Sequence, residues 1–452
     1  MQMPFTPSVR ELQPRKLYMS VPYKLVLALT ASTLWLAFST WAALPWLNDL
    51  VRLIGWPTAL FIVTGVALIP GYANAFLIMG LILDQRPRIR QPPPPAPVTL
   101  LIAAYNEQDY IRETLESVAR QTYPVALEIL VIDDGSTDRT REIVRELIVG
   151  GGRPPNQTLR LVEMPRNGGK ARALNAGLAQ AAHELVATID ADTVLFRGAL
   201  ARLVMNHLCA PPTTAATAGT VLVRNSRKNL ITRLQEWDYF LGIAVVKRVQ
   251  SLLQGTMVAQ GAFSIYRKAA LLEVGGWPET VGEDIVLTWA LLERGYRIGY
   301  AESAFVFTNV PETYRDYYKQ RKRWSRGLIE AFKAHPRMLL PTRLNAPFVY
   351  LNFLFPYLDA AYLFVFVPGV LAALLLRNYS IVGLMTVLVI PLAMLVNVLM
   401  FYKQRAIFER NGLKVRRNLL GALLFTTMYQ LILSPASLMG YISELFKLRK
   451  TW

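Results

Sequence analysis

Acidic motifs stand where three predicted strands end. AAYNE closes the apolar run 98–105, DDGSTD begins at the end of LEILVID (127–133), and DAD begins at the end of ELVATID (184–190). Short apolar runs of this kind are typical of buried parallel strands. Ligands of open α/β sheets bind beyond the carboxyl ends of the strands. The three motifs therefore predict one site for a polar, charged ligand such as a nucleoside diphosphate.

The first two motifs offer side chains that suit a nucleotide. Tyr105 can stack on a base, and Glu107 can reach ribose hydroxyls. Asp133 or Asp134 can accept a hydrogen bond from a uracil N–H. An ordinary turn and helix cap is the alternative for DDGSTD, because Asp, Gly, Ser and Thr favour both. The strand before it and the DAD motif after it favour the binding site.

The DAD motif predicts a divalent metal. Asp190 and Asp192 stand on one tight loop, and hard oxygen ligands suit Mg²⁺ or Mn²⁺. Such an ion bridges the charges of a diphosphate and stabilises it as a leaving group. Lys170 opens the predicted helix of GGKARALN (168–175) and is placed to meet phosphate or base. A solvated lysine at a helix start is the alternative for Lys170.

The composition indicates a soluble domain combined with membrane spans. The chain has 452 residues, of which 53% are hydrophobic and 18% charged. A spanning helix needs about 20 mostly apolar residues. The segments that qualify are Leu25–Leu47, Thr58–Leu83, Phe348–Leu376, Ile381–Phe401 and Leu419–Leu445. The alternation of strand and helix between the second and third spans predicts a doubly wound α/β domain. It lacks GxGxxG, which argues against a nicotinamide enzyme.

The formal net charge of +18 has two readings, nucleic acid or membrane. No zinc-finger, helix-turn-helix or RNA-binding signature is present, so nucleic acid is not an expected partner. Basic residues instead flank the spans, as at 86–90 and 403–417. The positive-inside rule therefore predicts a cytoplasmic central domain. Five spans would leave the basic tail outside, so Phe348–Pro356 is suspected to be re-entrant or interfacial.

The order of the motifs resembles a known family. VIDDGSTD, GGKARALN, DAD, GED (282–284) and QRKRW (320–324) occur as in processive family 2 membrane glycosyltransferases. The chain is most similar to poly-β-1,6-N-acetylglucosamine synthases, which are related to hyaluronan, chitin and cellulose synthases. The resemblance implies an α/β GT-A domain with a doubly wound mixed sheet, joined to an α-helical transmembrane bundle with amphipathic interface helices. It also implies inverting polymerisation of N-acetylglucosamine from UDP-N-acetylglucosamine and export of the β-linked chain.

The resemblance assigns roles to residues of the later motifs. In GED, Asp284 matches the catalytic base, and Glu283 is the internal rival and a candidate for contact with the acceptor. In QGAFSIYR (260–267), Gly261 and Ala262 would let the acceptor sugar approach closely.

The QRKRW motif is predicted on an amphipathic helix at the membrane surface. Basic residues such as Arg326 would face lipid headgroups and solvent. The family pattern makes Arg323 a diphosphate ligand and places Trp324 beside both donor and acceptor sugars. Gln320 is assigned to the UDP-sugar as well.

The resemblance also implies partners and a location. The partners are a UDP-sugar, the growing polysaccharide, the lipid bilayer and a small separate membrane subunit. The location is the bacterial inner membrane, with a cytoplasmic catalytic domain. The alternatives are a hyaluronan- or chitin-type synthase, a single-addition transferase with a lipid acceptor, or a transporter with a nucleotide-sensing domain. The expected layout is a cytoplasmic N-terminus 1–24, two spans in 25–83, a Pro-rich linker 84–97, the GT-A domain 98–310, interface helices 311–346, about three spans in 347–445 and a basic tail 446–452.

Overall fold

The structure, a computed structural model, describes residues 19–85, 93–414 and 417–449, with the backbone alone for 384–392 and Lys403. Most of the predicted N-terminus 1–24, half of the linker 84–97 and the end of the basic tail 446–452 lie outside the described residues. The chain divides into two compact units. The first contains Asp84–Leu222 and Gln254–Asn309, and the second contains Val21–Leu83, Val223–Leu253 and Val310–Trp452.

The described part of the chain forms eight β-strands and sixteen α-helices. The strands are β1 Val98–Ala104, β2 Leu127–Asp133, β3 Gln157–Glu163, β4 Leu185–Asp190, β5 Val194–Leu195, β6 Thr214–Val223, β7 Phe263–Arg267 and β8 Arg297–Thr308. The α-helices are α1 Val21–Ile54, α2 Trp56–Val63, α3 Ile69–Ile82, α4 Ile111–Ala119, α5 Thr140–Val149, α6 Lys170–Gln180, α7 Ala199–Cys209, α8 Leu230–Asp238, α9 Val246–Leu252, α10 Lys268–Glu273, α11 Glu283–Glu293, α12 Tyr314–Ala334, α13 Ala346–Ala361, α14 Val367–Leu376, α15 Leu384–Arg410 and α16 Leu419–Leu445.

The first unit is built on an eight-stranded sheet in the order β3-β2-β1-β4-β7-β6-β8-β5. Strands β1 to β4 are parallel, whereas β7 runs antiparallel to both β4 and β6. Every residue of β2 is buried, as expected for a parallel strand covered on both faces. Asp133 is in register with Ala104, and Asp190 with Ala103, so the three strand-end motifs share one edge. The predicted GT-A-like mixed sheet is confirmed.

The second unit is helical. Among the described residues, four helices are long and apolar enough to cross a membrane: Val21–Ile54, Trp56–Ile82, Ala346–Leu376 and Leu419–Leu445. The segment suspected to be re-entrant, Phe348–Pro356, lies inside α13, which continues through a π-helical turn into α14. The predicted span Ile381–Phe401 overlaps α15, and its crossing of the membrane stays a prediction because nine of its side chains are not described.

Helix α12 carries QRKRW and packs against α16. Its first turn is capped by Thr313, whose side chain accepts a hydrogen bond from the Asp316 N–H at 3.2 Å. The prediction that Arg326 faces headgroups and solvent is wrong. Arg326 is buried, and its Nε donates to Glu444 Oε2 of α16 at 2.9 Å. The charged partner lies 118 residues along the chain, so helical periodicity did not reveal it.

Candidate active site

The DDGSTD motif anchors the loop that leads into α6. Asp134 is buried and accepts hydrogen bonds from the N–H groups of Gly168 at 2.7 Å and Gly169 at 2.8 Å. Gly169 has a φ of +87°, a conformation that side chains rarely adopt, and it immediately precedes α6. Both carboxylate oxygens of Asp134 therefore fix the start of the helix that carries Lys170.

The neighbouring Asp133 has a different environment. Its Oδ2 accepts from the Ser136 N–H at 3.1 Å and from Arg141 Nε at 2.6 Å. Its Oδ1 is buried and has no hydrogen-bond partner among the residues that the structure describes. A buried polar atom without a partner is costly. Of the two aspartates proposed for a base N–H, Asp133 is thus the one with an acceptor atom left over.

Hydrogen bonds connect the AAYNE loop to the DDGSTD loop. Asn106 has a φ of +55°, and its Oδ1 accepts from the Thr137 N–H at 2.9 Å. The Glu107 N–H donates to Thr140 Oγ1 at 2.8 Å. Tyr105 is 45% exposed and so presents an aromatic surface at the sheet edge. The two loops therefore form one hydrogen-bonded rim.

Glu107 lies close to the carboxylates of the DAD motif. Burial raises the pKa of Glu107 to about 7, and the negative charges of Asp192 and Asp190 add to this effect. Crowded carboxylates hold protons more tightly because ionising all of them is unfavourable. Acidic side chains of the AAYNE and DAD motifs therefore lie near one another at this end of the sheet.

Lys170 is the centre of an ion-pair cluster. Its Nζ donates to Asp190 Oδ1, and it lies 3.8 Å from Glu283 Oε1. Burial would lower the pKa of Lys170, but Asp190, Glu283 and the more distant Asp284 outweigh it and raise the pKa. The cluster joins three motifs that the sequence could only order along the chain: GGKARALN, DAD and GED.

Asp192 is a candidate metal ligand at the end of the DAD motif. Both of its carboxylate oxygens accept from Thr308 Oγ1 at 3.2 Å, at the end of β8. Burial and the charge of Asp190 raise the pKa of Asp192 to about 6. In the described part of the chain no three His, Cys, Asp or Glu side chains are grouped to hold a metal. Two carboxylates still fit Mg²⁺ or Mn²⁺, since Mg²⁺ is commonly bound by one or two carboxylates plus substrate phosphates.

The GED and QGAFSIYR motifs lie beside this cluster. Asp284 is in the first turn of α11, where its Oδ1 accepts from the Ile285 N–H at 2.8 Å, a bond that does not use Oδ2. A Cβ added at Gly261 would lie 2.8 Å from Lys170 Nζ and 3.9 Å from Asp190 Oδ1. The absence of a side chain at Gly261 thus lets its backbone approach the cluster. Ala262 is partly buried and follows directly.

The QRKRW residues belong to the second unit. Arg323 is exposed on α12, and Trp324 is 42% exposed. Gln320 is partly buried, and its Oε1 has no hydrogen-bond partner within the described segments. The exposed side chains are available to a ligand.

Two residues of the first unit contact the candidate site residues although no motif predicted them. Arg141 pairs with Asp133, and Thr308 hydrogen-bonds to Asp192. Neither follows from a motif. Arg141 stands in an ordinary amphipathic helix, and Thr308 lies 116 residues after Asp192, on a strand whose place beside the DAD motif no sequence pattern indicated.

The sequence of the first unit matches the model of the family "Glycosyl transferase family 2" over residues 99–275. Residues 99–275 therefore match a family 2 glycosyltransferase domain, in agreement with the mixed sheet and the position of its acidic motifs. This matched segment holds most of the cluster around Lys170.

The resemblance that the motifs indicated is confirmed by similar proteins of known name. The chain is 36% identical over 231 residues to a poly-β-1,6-N-acetyl-D-glucosamine synthase of Staphylococcus aureus, covering 51% of this chain and 54% of that protein. A synthase of the same name from Staphylococcus epidermidis is equally similar over the same shares. The match thus spans about half the length of these curated relatives.

A solved structure supports the fold. The mannosyltransferase PcManGT from Pyrobaculum calidifontis, in complex with GDP-Man and Mn²⁺, aligns with a TM-score of 0.58 and 22% sequence identity. The alignment covers 86% of this chain and 99% of the mannosyltransferase. At this identity the likeness concerns the fold alone.

Proposed function

We propose that this protein is an inverting, processive glycosyltransferase. It polymerises N-acetylglucosamine from UDP-N-acetylglucosamine into a β-linked polysaccharide of the poly-β-1,6 type and passes the chain across the membrane. The observation that carries the proposal is the cluster around Lys170, where DAD, GGKARALN, GED and the backbone of Gly261 meet. The relatives named above are poly-β-1,6-N-acetyl-D-glucosamine synthases, which supports this choice of polymer.

The donor is held at the sheet edge. The base stacks on Tyr105, and its N–H donates to Asp133 Oδ1, the buried acceptor for which the described residues provide no partner. Glu107 takes the ribose hydroxyls, and Lys170 meets the diphosphate. Asp190 and Asp192 would hold Mg²⁺ or Mn²⁺, which would neutralise charge on the departing UDP.

The acceptor sugar lies beside Gly261 and Ala262. Asp284 removes the proton from the attacking hydroxyl, because an inverting displacement needs one base opposite the leaving group. Its Oδ2 suits that role, since the bond to the Ile285 N–H uses Oδ1. Glu283 is held near Lys170 and orients the acceptor.

The QRKRW motif grips the diphosphate and the growing chain. Arg323 is exposed and can present a planar guanidinium fork to phosphate oxygens. Trp324 offers an aromatic surface on which a pyranose ring packs, and Gln320 contributes its Oε1, an acceptor atom without a partner in the described segments. Packing on an aromatic surface holds a sugar without fixing its register, which suits a polymer that must advance.

The apolar helices and the charge distribution support a location in a membrane. We place the protein in the bacterial inner membrane, with its catalytic domain in the cytoplasm, as a multi-pass protein. The proposal also includes a small membrane partner subunit and the domain limits 98–310 and 311–346.

The experiment is incubation of the purified full chain with a panel of radiolabelled UDP-sugars and Mg²⁺ or Mn²⁺, followed by sizing and enzymatic digestion of the product. Long chains made from UDP-N-acetylglucosamine and cut by a β-1,6-specific hexosaminidase are expected. Single-sugar lipid adducts would instead establish the single-addition transferase. Nucleotide binding without any transfer would favour a transporter with a sensor domain.

A further inference from the structure

A buried arginine lies against the exposed tryptophan of α12. Arg321 is only 4% exposed, and its guanidinium carbon lies 4.2 Å from the ring centroid of Trp324. Trp324 itself is 42% exposed. The indole is therefore held from the protein side by a cation while it keeps a surface for a ligand. Cation–π contacts are strongest when they are desolvated, as this one is.

The guanidinium of Arg321 is fixed by a second contact. Its Nη2 donates to Asp238 Oδ2 at the end of α8, and Asp238 is itself buried. The other oxygen, Asp238 Oδ1, accepts from the Tyr429 hydroxyl of α16 at 2.6 Å. Because Asp238 is also held by Tyr429 of α16, the Arg321 guanidinium that pairs with it has little freedom to move.

Aromatic rings complete the surroundings of Arg321. The ring centroid of Tyr317 lies 5.0 Å from the guanidinium carbon, and that of Tyr239 lies 6.0 Å away. The Nε of Arg321 is buried and has no hydrogen-bond partner in the described parts of the chain. The ion pair and the ring faces are thus what stabilises this charge away from water.

We propose that Arg321 is a positioning residue that sets the orientation of the Trp324 indole for the acceptor sugar, with Asp238 and Tyr429 holding Arg321 in place. The role of Trp324 rests on the proposed function, but the contacts that hold Arg321 against its indole do not. A planar guanidinium can stack on an indole, whereas a lysine ammonium in the same place keeps the charge opposite Asp238 and loses the stacked plane.

The test therefore compares Arg321→Lys with Arg326→Lys. Arg326 is the control because it is also a buried arginine of α12 with a carboxylate partner, Glu444, but its guanidinium donates further to the Leu448 and Arg449 carbonyls, whereas that of Arg321 lies over the Trp324 ring. The full chain in detergent is labelled with 5-fluorotryptophan. The ¹⁹F resonance of Trp324 among the nine tryptophans is assigned by its loss in Trp324→Phe.

The Trp324 resonance is expected to shift in Arg321→Lys and to stay in place in Arg326→Lys. Elongation should fall about tenfold in Arg321→Lys, the size expected for loss of a desolvated cation–π contact, with the KM for UDP-N-acetylglucosamine unchanged. Tyr429→Phe, which loosens only Asp238, should shift the resonance in the same direction by less. An unmoved resonance in Arg321→Lys, or an equal shift in Arg326→Lys, overturns the proposal. A wild type that makes no polymer defeats the proposed function instead, and the fluorine comparison still decides whether Arg321 positions Trp324.

Discussion

Lys170 and Asp190 form an ion pair that joins the first residue of α6 to the last residue of β4. In the free protein this bond occupies one oxygen of the DAD motif. The Lys170 ammonium is thereby held next to the place where a diphosphate would lie. The diphosphate of the substrate can then replace Asp190 as the anionic partner of Lys170. Such an exchange needs little rearrangement of the protein.

Asp284→Asn should slow transfer by about 10²–10⁴-fold, because the amide cannot accept the proton of the attacking hydroxyl. UDP binding should stay close to that of the wild type, as measured by calorimetry. Glu279→Gln is the matched control, since Glu279 precedes the same helix but pairs with Arg172 on the surface. Polymer synthesis near the wild-type rate in Asp284→Asn would show that another residue is the base.

Chelation should abolish turnover, and Mg²⁺ or Mn²⁺ should restore it. Asp192→Asn should weaken metal-dependent UDP binding, because one of two oxygen ligands becomes a neutral amide. Glu142→Gln, which removes an exposed surface carboxylate, is the control and should change nothing. Activity that persists in excess EDTA would contradict the assignment of the DAD motif.

Gly261→Ala should raise the KM for the UDP-sugar several-fold, because the new methyl group displaces the Lys170 ammonium that would lie 2.8 Å from it. The melting temperature should change little, since the displaced atoms are the far end of a flexible side chain. Kinetics of Gly261→Ala, Lys170→Met and the double variant give the coupling between the two sites. If the two effects simply add, the alanine does not act through Lys170.

Trp324→Ala should shorten the product far more than it weakens UDP binding. Arg323→Ala should weaken use of the nucleotide sugar directly, and Arg323→Lys should restore it only in part, since a point charge lacks the planar fork. UDP affinity by calorimetry and product length on gels separate the two effects. Lys319→Ala on the same helix is the control, because Lys319 is exposed and pairs with Asp316. Full-length polymer from Trp324→Ala would remove the tryptophan from the elongation step.

The sequence predicted the local features of this protein better than its long-range contacts. Strand β2 was predicted at its observed bounds, 127–133, because a continuous apolar run with an acidic end leaves little choice. The burial of Arg321 and Arg326 could not be predicted. Their partners Asp238 and Glu444 lie 83 and 118 residues away, and a helical pattern alone assigns arginines to the surface.

The same limit applies to the candidate site. The motifs indicated which carboxylates belong together, since strand ends of a parallel sheet meet at one edge. They did not separate Asp133 from Asp134, because the difference lies in contacts with Arg141 and with the Gly168–Gly169 backbone.

The most direct measurement is a structure of the full chain with UDP-N-acetylglucosamine and Mn²⁺, with the metal located by its anomalous scattering. The account predicts a Mn²⁺ peak at the carboxylates of Asp190 and Asp192 that also contacts the diphosphate. The anomeric carbon of the sugar should face Asp284. A metal bound elsewhere, or a nucleotide bound away from the ends of β1, β2 and β4, would contradict it.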